Sequence, residues 1–303
     1  MTVTFRPPTR ADLTEIAAVL GTDGPNELGQ SVLGIGLLEG EWSSATFDPA
    51  TDAWVAVGED GSIVAYGHAT LNGPGLVRSW GVVRPDRRGE GIGTALLDRI
   101  EERADDLLAG SSPATFRHSV TATDQAIAGM LRGRGLSPVR HFWYMHLDLA
   151  DPITPSSDAF DIRPLIGPDE LRSVHGVLQA AFADDWGYQP EPFDQWAGEQ
   201  TDDPAHWLLA SDGGRPVAAL ITRTEGTRGW IAELGVLPAH RGRGIADALL
   251  RRAFTAFRAR GLKDAMLNVD AANPTGATRL YENAGMRVIW RWDLWERVAT
   301  DHA

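Results

Sequence analysis

Hydrophobic positions in the second half of the chain switch between two periods. Leu171, Val174, Leu178 and Phe182 recur at three- and four-residue spacing, the pattern of a helix with one apolar face, and Pro168-Asp169-Glu170 gives its start. A second short helix is expected over 192–199. Strand-like runs follow at 206–211, 217–224 and 229–236, the first two joined by the turn Asp212-Gly213-Gly214. A helix over 244–260 stopped by Gly261, a strand over 264–269, a helix over 274–283 with Gly285 just beyond it, and a strand over 286–296 complete the series. The first half runs through the same order more loosely. Its strands are expected at 4–7, 53–57, 63–70, 76–83, 114–121 and 138–149, and its helices at 12–20, 91–108 and 124–132. The stretch 21–49 has no clear pattern.

The repeat is sharpest where a strand gives way to a Gly-rich turn that opens onto a helix. Val236-Leu237-Pro238-Ala239-His240-Arg241-Gly242-Arg243-Gly244-Ile245-Ala246 matches Val83-Arg84-Pro85-Asp86-Arg87-Arg88-Gly89-Glu90-Gly91-Ile92-Gly93, with Arg241 and Arg88 153 residues apart. Such a turn suits phosphate: glycines without Cβ let backbone N–H groups approach a ligand, and the helix start adds the positive end of its dipole. Arg241 and Arg243 add positive charge. Neither copy ends in Gly-Lys-Ser/Thr, and no acidic residue follows at the end of a second parallel strand, which disfavours the mononucleotide and dinucleotide loops. A Pro- and Ser-containing stretch at 148–161 reads as a linker, so the expected domains are 1–150 and 158–303.

These loops, with Asn273-Pro274-Thr275-Gly276-Ala277-Thr278-Arg279-Leu280-Tyr281-Glu282-Asn283-Ala284-Gly285-Met286 downstream, resemble the coenzyme A loop and the Asn…Ala-x-x-Leu-Tyr-x-x-x-Gly-Phe segment of the GNAT superfamily of acyltransferases. Met286 stands in place of the usual Phe. The resemblance covers nearly the whole chain and implies an α/β (α+β) fold of two tandem GNAT-like domains, each a mixed, mostly antiparallel sheet flanked by helices. It also implies an N-acetyltransferase with acetyl-CoA as co-substrate and no metal. The implied roles are a general base for Glu233, an acid for Tyr281 that protonates the departing thiolate, and main-chain pairing of Leu234, Gly235 and Val236 with the pantetheine arm. Arg241, Gly242, Arg243, Gly244, Ile245 and Ala246 would hold the pyrophosphate and Asn273 the coenzyme arm. A second coenzyme A site is implied at Val83, Arg88, Gly89, Glu90, Gly91, Ile92 and Gly93.

The residues carry part of this reading unaided. Glu233 interrupts the apolar strand 230–236, where strict alternation puts Ile231, Glu233 and Gly235 on one face and Ala232, Leu234 and Val236 on the other. Its carboxylate serves either as a base or as an ion-pair partner of Arg223 or Arg228. Tyr281 is either a proton donor or a packing residue, and Asn273 a ligand contact, a helix N-cap or both. Aligned on its phosphate loop, the first half has Trp80 opposite Glu233; aligned on Gly135, it has Leu131 opposite Tyr281 and Thr123 opposite Asn273. The first half therefore lacks both catalytic candidates. This division resembles the mycothiol synthases, tandem GNAT proteins active in the second half.

Composition narrows the partners. At 303 residues, 43% hydrophobic and 23% charged, the chain reads as ordinary globular protein. A net charge of −13 argues against nucleic acid and suits a cationic small amine. No Lys or Arg occurs over 173–214, whereas Asp184, Asp185, Glu191, Asp194, Glu199, Asp202 and Asp203 do; the window is either a solvated surface or an electrostatic funnel. Within it, Asp184-Asp185-Trp186-Gly187-Tyr188 is the expected acceptor contact. Trp290, Trp292 and Trp295 read as core or interface, and the scattered histidines give no Ser-His-Asp set. No leader or membrane-spanning run is evident and cysteine is absent, so the expectation is a cytoplasmic monomer or homodimer. The alternatives to a small-molecule enzyme are a protein or peptide N-acetyltransferase and a non-catalytic coenzyme A-binding regulatory module.

Overall fold

A computed structural model describes residues 3–22, 35–44, 46–122, 124–157, 159–200, 202–273 and 275–299, with backbone alone at 35–37, 168 and 199. Thr123 lies outside the described residues. The chain forms two compact units, one from Met1–Phe142 with Trp290–Ala303 and the other from Trp143–Ile289.

In chain order the elements of the first unit are β1 (Thr4–Arg6), α1 (Leu13–Leu20), α2 (Ile35–Trp42), α3 (Pro49–Asp52), β2 (Ala53–Val57), β3 (Ile63–Leu71), β4 (Leu76–Val83), α4 (Ile92–Leu108), β5 (Ala114–Thr121) and α5 (Gln125–Gly133). A long strand, β6 (Ser137–Asp148), then leads into the second unit. That unit holds β7 (Asp161–Pro164), α6 (Leu171–Phe182), α7 (Phe193–Glu199), β8 (Leu208–Asp212), β9 (Arg215–Glu225), β10 (Arg228–Val236), α8 (Ile245–Ala259), β11 (Asp264–Asp270) and α9 (Ala277–Asn283). The last strand is β12 (Arg287–Ala299). The patternless stretch 21–49 thus contains the short helix α2.

Strand order is β1-β2-β3-β4-β5-β12 in the first unit and β7-β8-β9-β10-β11-β6 in the second. Of these, β4 with β5 and β10 with β11 run parallel, while β1–β2, β2–β3, β3–β4, β5–β12, β7–β8, β8–β9 and β9–β10 are antiparallel, the mixed sheet expected. Helices cover both faces. In the second unit α8 places Ile245, Ala248, Leu249, Phe254 and Phe257 on one side of the sheet, and α6 and α7 place Val174, Leu178 and Trp196 on the other. Each fully buried Val, Leu, Ile or Phe side chain among them is worth roughly 1.5–3 kcal/mol. Gly261, at φ +79°, ends α8 with Leu262 N–H donating to Phe257 O.

The units do not follow the contiguous segments 1–150 and 158–303. Trp295 of β12 is 2% exposed in the core built around α4 and β5, and Met145 and Leu147 of β6 are buried around α8. Trp295 of β12 and Met145 and Leu147 of β6 thus complete the core of the unit that the other half of the sequence mainly builds. Nor is 148–161 a free tether. Leu149 is buried with its N–H on Lys263 O, Ser156 Oγ donates to Ala248 O at 2.9 Å, and Arg258 donates to the Leu149 and Asp151 carbonyls.

Removing the Trp295 ring tests which unit β12 completes. Trp295→Ala should cost about 3–5 kcal/mol. Amide exchange should accelerate in β5 and α4 while α8 stays protected; equal loss of protection in α8 would contradict the assignment of β12 to the first unit.

Candidate active site

The site of the second unit begins where two parallel strands part. β10 pairs with β11 over Arg228–Trp230 and Asp264–Met266, after which β10 continues to Val236 and β11 to Asp270. A cavity of about 470 Å³ lies beyond the parting. Its lining includes β10 from Ile231 to Val236, the β11 residues Leu267 to Asp270, the start of α8, and Tyr281 on α9.

At the mouth, Gly242 and Gly244 have φ of +72° and +85°, and no atom stands within 4 Å of a Cβ built on Gly242. Gly244 is the N-cap of α8 and supplies no side-chain acceptor, so the first N–H groups of a fifteen-residue helix face the cavity mouth without an intrahelical partner. Uncapped N–H groups, open glycines and the dipole fit a pyrophosphate. Both arginines are engaged within the protein. Arg241 lines the cavity but donates through Nε to Val236 O at 3.2 Å and through Nη2 to Ala181 O at 2.7 Å, bracing the loop against β10 and α6. Arg243 turns away from the cavity to Asp212, 2.8 Å from Oδ2, with His240 Nδ1 at 3.0 Å. Of the residues expected to bind the coenzyme, Leu234, Gly235, Val236, Arg241, Gly242, Gly244, Ile245, Ala246 and Asn273 line the cavity and Arg243 does not. Asn273 is not the N-cap of α9, a position taken by Gly276; its Oδ1 accepts from Thr275 N and Oγ1 at 2.9 and 2.5 Å.

Glu233 and Tyr281 both line this cavity. The β9–β10 register slips between Ile231 and Glu233, making Ala232 an extra residue. This bulge corrects the simple alternation: Ile231 packs into the core around α8, whereas Glu233 faces α6 and α7, where Trp196 donates a hydrogen bond to it. Burial raises the Glu233 carboxyl above its ordinary value, opposed by the more distant Arg223, with which it forms no ion pair. Gly235 sits where a Cβ would meet Ala181 and Leu178 at 2.9 Å, so α6 packs directly on the strand. Tyr281 is 9% exposed; burial, aided by the charge of Asp185, pushes its phenol up to about 12. Asp185 and Asp270 line the cavity too, and burial raises Asp185. Within the acidic window, Asp202 and Asp203 instead accept backbone N–H groups. Asn268 and Asp270, near the end of β11, and Thr275, between Asn273 and α9, join the lining without having been singled out in the sequence.

The first unit has a matching cavity of about 710 Å³ at its own strand parting. Val83, Arg88, Gly89, Gly91 and Gly93 line it; Glu90 accepts from Arg87 Nε and Nη2, each at 2.9 Å, and Ile92 is buried in the core. Arg88 Nε donates to Val83 O as Arg241 does to Val236 O. Here β3 and β4 pair without a bulge. Trp80 stands at the place of Glu233, and Leu131 at that of Tyr281, since Leu136 N–H donates to Leu131 O as Met286 N–H does to Tyr281 O. Trp80 packs with Tyr66 and His68, and its Nε1 donates to Glu41 of α2, whose carboxyl burial pushes up to about 7. His118, one of the scattered histidines, pairs with Ser79.

Among the described residues no three His, Asp or Glu side chains gather as a metal site, and no helix is long and apolar enough to cross a membrane. The model of the acetyltransferase (GNAT) family matches the chain twice, over residues 31–128 and 172–286. The chain is 28% identical to the mycothiol acetyltransferase of Nocardia farcinica over 288 residues, covering 89% of this chain and 88% of that protein. It is 31% identical to the mycothiol acetyltransferase of Thermobispora bispora over 225 residues, 70% of this chain and 72% of that one. Among solved structures, a GCN5-related N-acetyltransferase from Sphaerobacter thermophilus superposes with a TM-score of 0.85 at 29% identity, covering 98% of this chain and 95% of that chain. The paired strand partings, the two glycine loops opening onto uncapped helices and the two matched segments converge: the chain belongs to the GNAT family of N-acetyltransferases.

Proposed function

We propose that the chain transfers an acetyl group from acetyl-CoA directly to the amine of a small acceptor, and that the second unit does the chemistry. The observation that carries this reading is the meeting of Glu233 and Tyr281 in one cavity whose mouth is an uncapped helix start. Acetyl-CoA, when bound, supplies an activated acyl group and a thiolate leaving group. The N–H groups of Gly242 to Ala246 hold its pyrophosphate, and Asn273, with Oδ1 occupied by Thr275, offers its amide N–H to the arm.

Glu233 accepts the proton of the attacking amine, directly or through water. An alkylamine of pKa about 10.4 is neutral only about once in 10^3.4 molecules at pH 7, so such a base contributes substantially. Tyr281 stays protonated across the working range and gives its hydrogen to the departing sulfur. A cavity of about 470 Å³ bordered by Asp185, Glu233 and Asp270 favours a small cationic acceptor over a protein N-terminus. The relatives' name makes a mycothiol-type acceptor the first to try. The first unit, with Trp80 and Leu131 in the catalytic places and aromatic rings around His68, is assigned a second coenzyme A site without turnover. A reducing cytoplasmic setting accords with the absence of cysteine.

Tyr281→Phe keeps the ring and loses only the donor, so turnover should fall by roughly 10^2 to 10^4 with acetyl-CoA affinity nearly unchanged, read by thiol release and calorimetry. Full turnover would remove Tyr281 from the chemistry. The wild-type rate should decline on acidification through the raised Glu233 value, because protonation removes the base. In Glu233→Gln that limb should vanish, and the residual rate should climb with pH as more amine becomes neutral; a profile parallel to wild type would exclude Glu233 as base. Ala246→Asp sets a carboxylate among the uncapped N–H groups and should weaken acetyl-CoA binding by about tenfold or more. Its counterpart Gly93→Asp, where a Cβ meets only Val83 Cγ2 at 3.5 Å, should leave turnover within about twofold. Reversed outcomes would move catalysis to the first unit.

A further inference from the structure

The lining of the first unit's cavity includes His118, which forms with the buried Ser79 a polar pair that the fold does not require. Ser79 and His118 face each other across the parallel β4–β5 pairing, with Ser79 Oγ 2.7 Å from His118 Nδ1. The same hydroxyl donates to Arg117 O at 3.0 Å. A hydroxyl has one hydrogen, so the hydrogen shared with Nδ1 belongs to the imidazole, and Nε2 is left as a lone-pair acceptor. Burial pushes the ring down to about 3, so it is neutral at any physiological pH. His118 is 1% exposed and lines the cavity, and Ser79 engages it through Nδ1, the ring nitrogen other than Nε2.

Strand register identifies the corresponding positions in the second unit. His68 opposite Trp80 answers to Ile221 opposite Glu233; one step back along the strand, with Ala232 as the bulge, Ser79 answers to Ile231. Leu76 beside Thr115 answers to Arg228 beside Asp264, which makes Leu267 the counterpart of His118. Ile231 and Leu267 are both buried in an apolar core and both line the second unit's cavity beside Glu233. The same backbone thus tolerates an apolar pair. His118 lies at the level where the other unit carries its reacting groups, about 13 Å along β4 from the phosphate loop for the four residues from Ser79 to Val83.

We propose that the first unit's cavity binds coenzyme A in its free-thiol form, with His118 Nε2 accepting the hydrogen bond of the thiol. This rests on the reading of that cavity as a coenzyme A site. Phosphates at the Gly89–Gly93 turn set the sulfur end of an extended ligand toward His118, and a thiol S–H is a donor for an acceptor nitrogen. A thioester has no hydrogen on sulfur and brings a carbonyl oxygen, a second acceptor, against the first. Two acceptors facing each other in a buried site leave both unsatisfied. The site therefore discriminates the product of acyl transfer from its acyl donor.

Calorimetric titration of the full chain with coenzyme A, acetyl-CoA and desulfo-coenzyme A tests the proposal, with the first-unit site identified by its loss in Gly93→Asp. The expected result is a first-unit site that takes coenzyme A about fivefold to tenfold more tightly than either of the other two. In His118→Phe the three affinities at that site should become equal while the second unit's site is unaffected. His118→Asn, with less bulk to accommodate, serves if the phenylalanine variant does not fold and should lose the preference likewise. Equal affinities in wild type, or a preference that survives both substitutions, would overturn the thiol selectivity while leaving the second coenzyme A site standing. A single bound equivalent with every ligand would overturn both.

Discussion

Everything at the active site depends on the early end of the β10–β11 pairing. A parallel pair that stayed in register to its end would bury the main chain of residues 231–236 in hydrogen bonds and leave no room between strands. Because the ladder stops at Trp230 and Met266, the rest of β10 presents backbone to a cavity, and α8 begins at the mouth with its N–H groups unspent. The bulge at Ala232 completes the arrangement by turning Glu233 away from the α8 core and toward α6. Packing holds the opening in shape: α6 lies so close to β10 that Gly235 has no space for a side chain, and Arg241 ties the Val236 carbonyl at the end of β10 and the Ala181 carbonyl in the last turn of α6 to the loop.

The two units show one framework put to different chemical use. Both have the parted strands, the left-handed glycines and the arginine that reaches back to the strand-end carbonyl. They differ on the opposite face of the sheet. In the second unit that face carries a half-buried carboxylate beside Trp196; in the first, Trp42, Phe47, Tyr66 and Trp80 close around His68. A straight ladder there also withholds the backbone distortion on which Glu233 depends.

The sequence reveals features whose physics is local. The loops at 88–93 and 241–246 announce themselves because the turn, the glycines and the helix start lie within a few residues of one another. Tyr281 is legible through its fixed spacing to Gly285, whose φ of +95° ends α9. Features set by distant partners were not legible. Arg243 was expected at the phosphate and is taken by Asp212, 31 residues away in a hairpin. The bulge is defined only against β9, so alternation within β10 misassigns Ile231. Glu41 sits on a short helix in a stretch without periodicity, and its burial depends on Trp80, 39 residues on. The pairing of Ser79 with His118 needs the parallel register that brings β4 beside β5.

The exchange of end strands also bears on how the molecule is made. β5 at residues 114–121 pairs with residues 292–299, so the first unit cannot close its sheet until the last strand has been synthesised. Translation at about 5–20 residues per second leaves that edge open for on the order of ten seconds or more. During that time its unpaired backbone groups form an exposed template for other strands, a hazard that a contiguous domain of the same sequence content would not face. The contact is also of very long sequence separation, which raises the loop-closure cost of the final step and slows it relative to the hairpins within each unit. Completion of the N-terminal unit is accordingly a late event in folding, coupled to the arrival of the C-terminal residues.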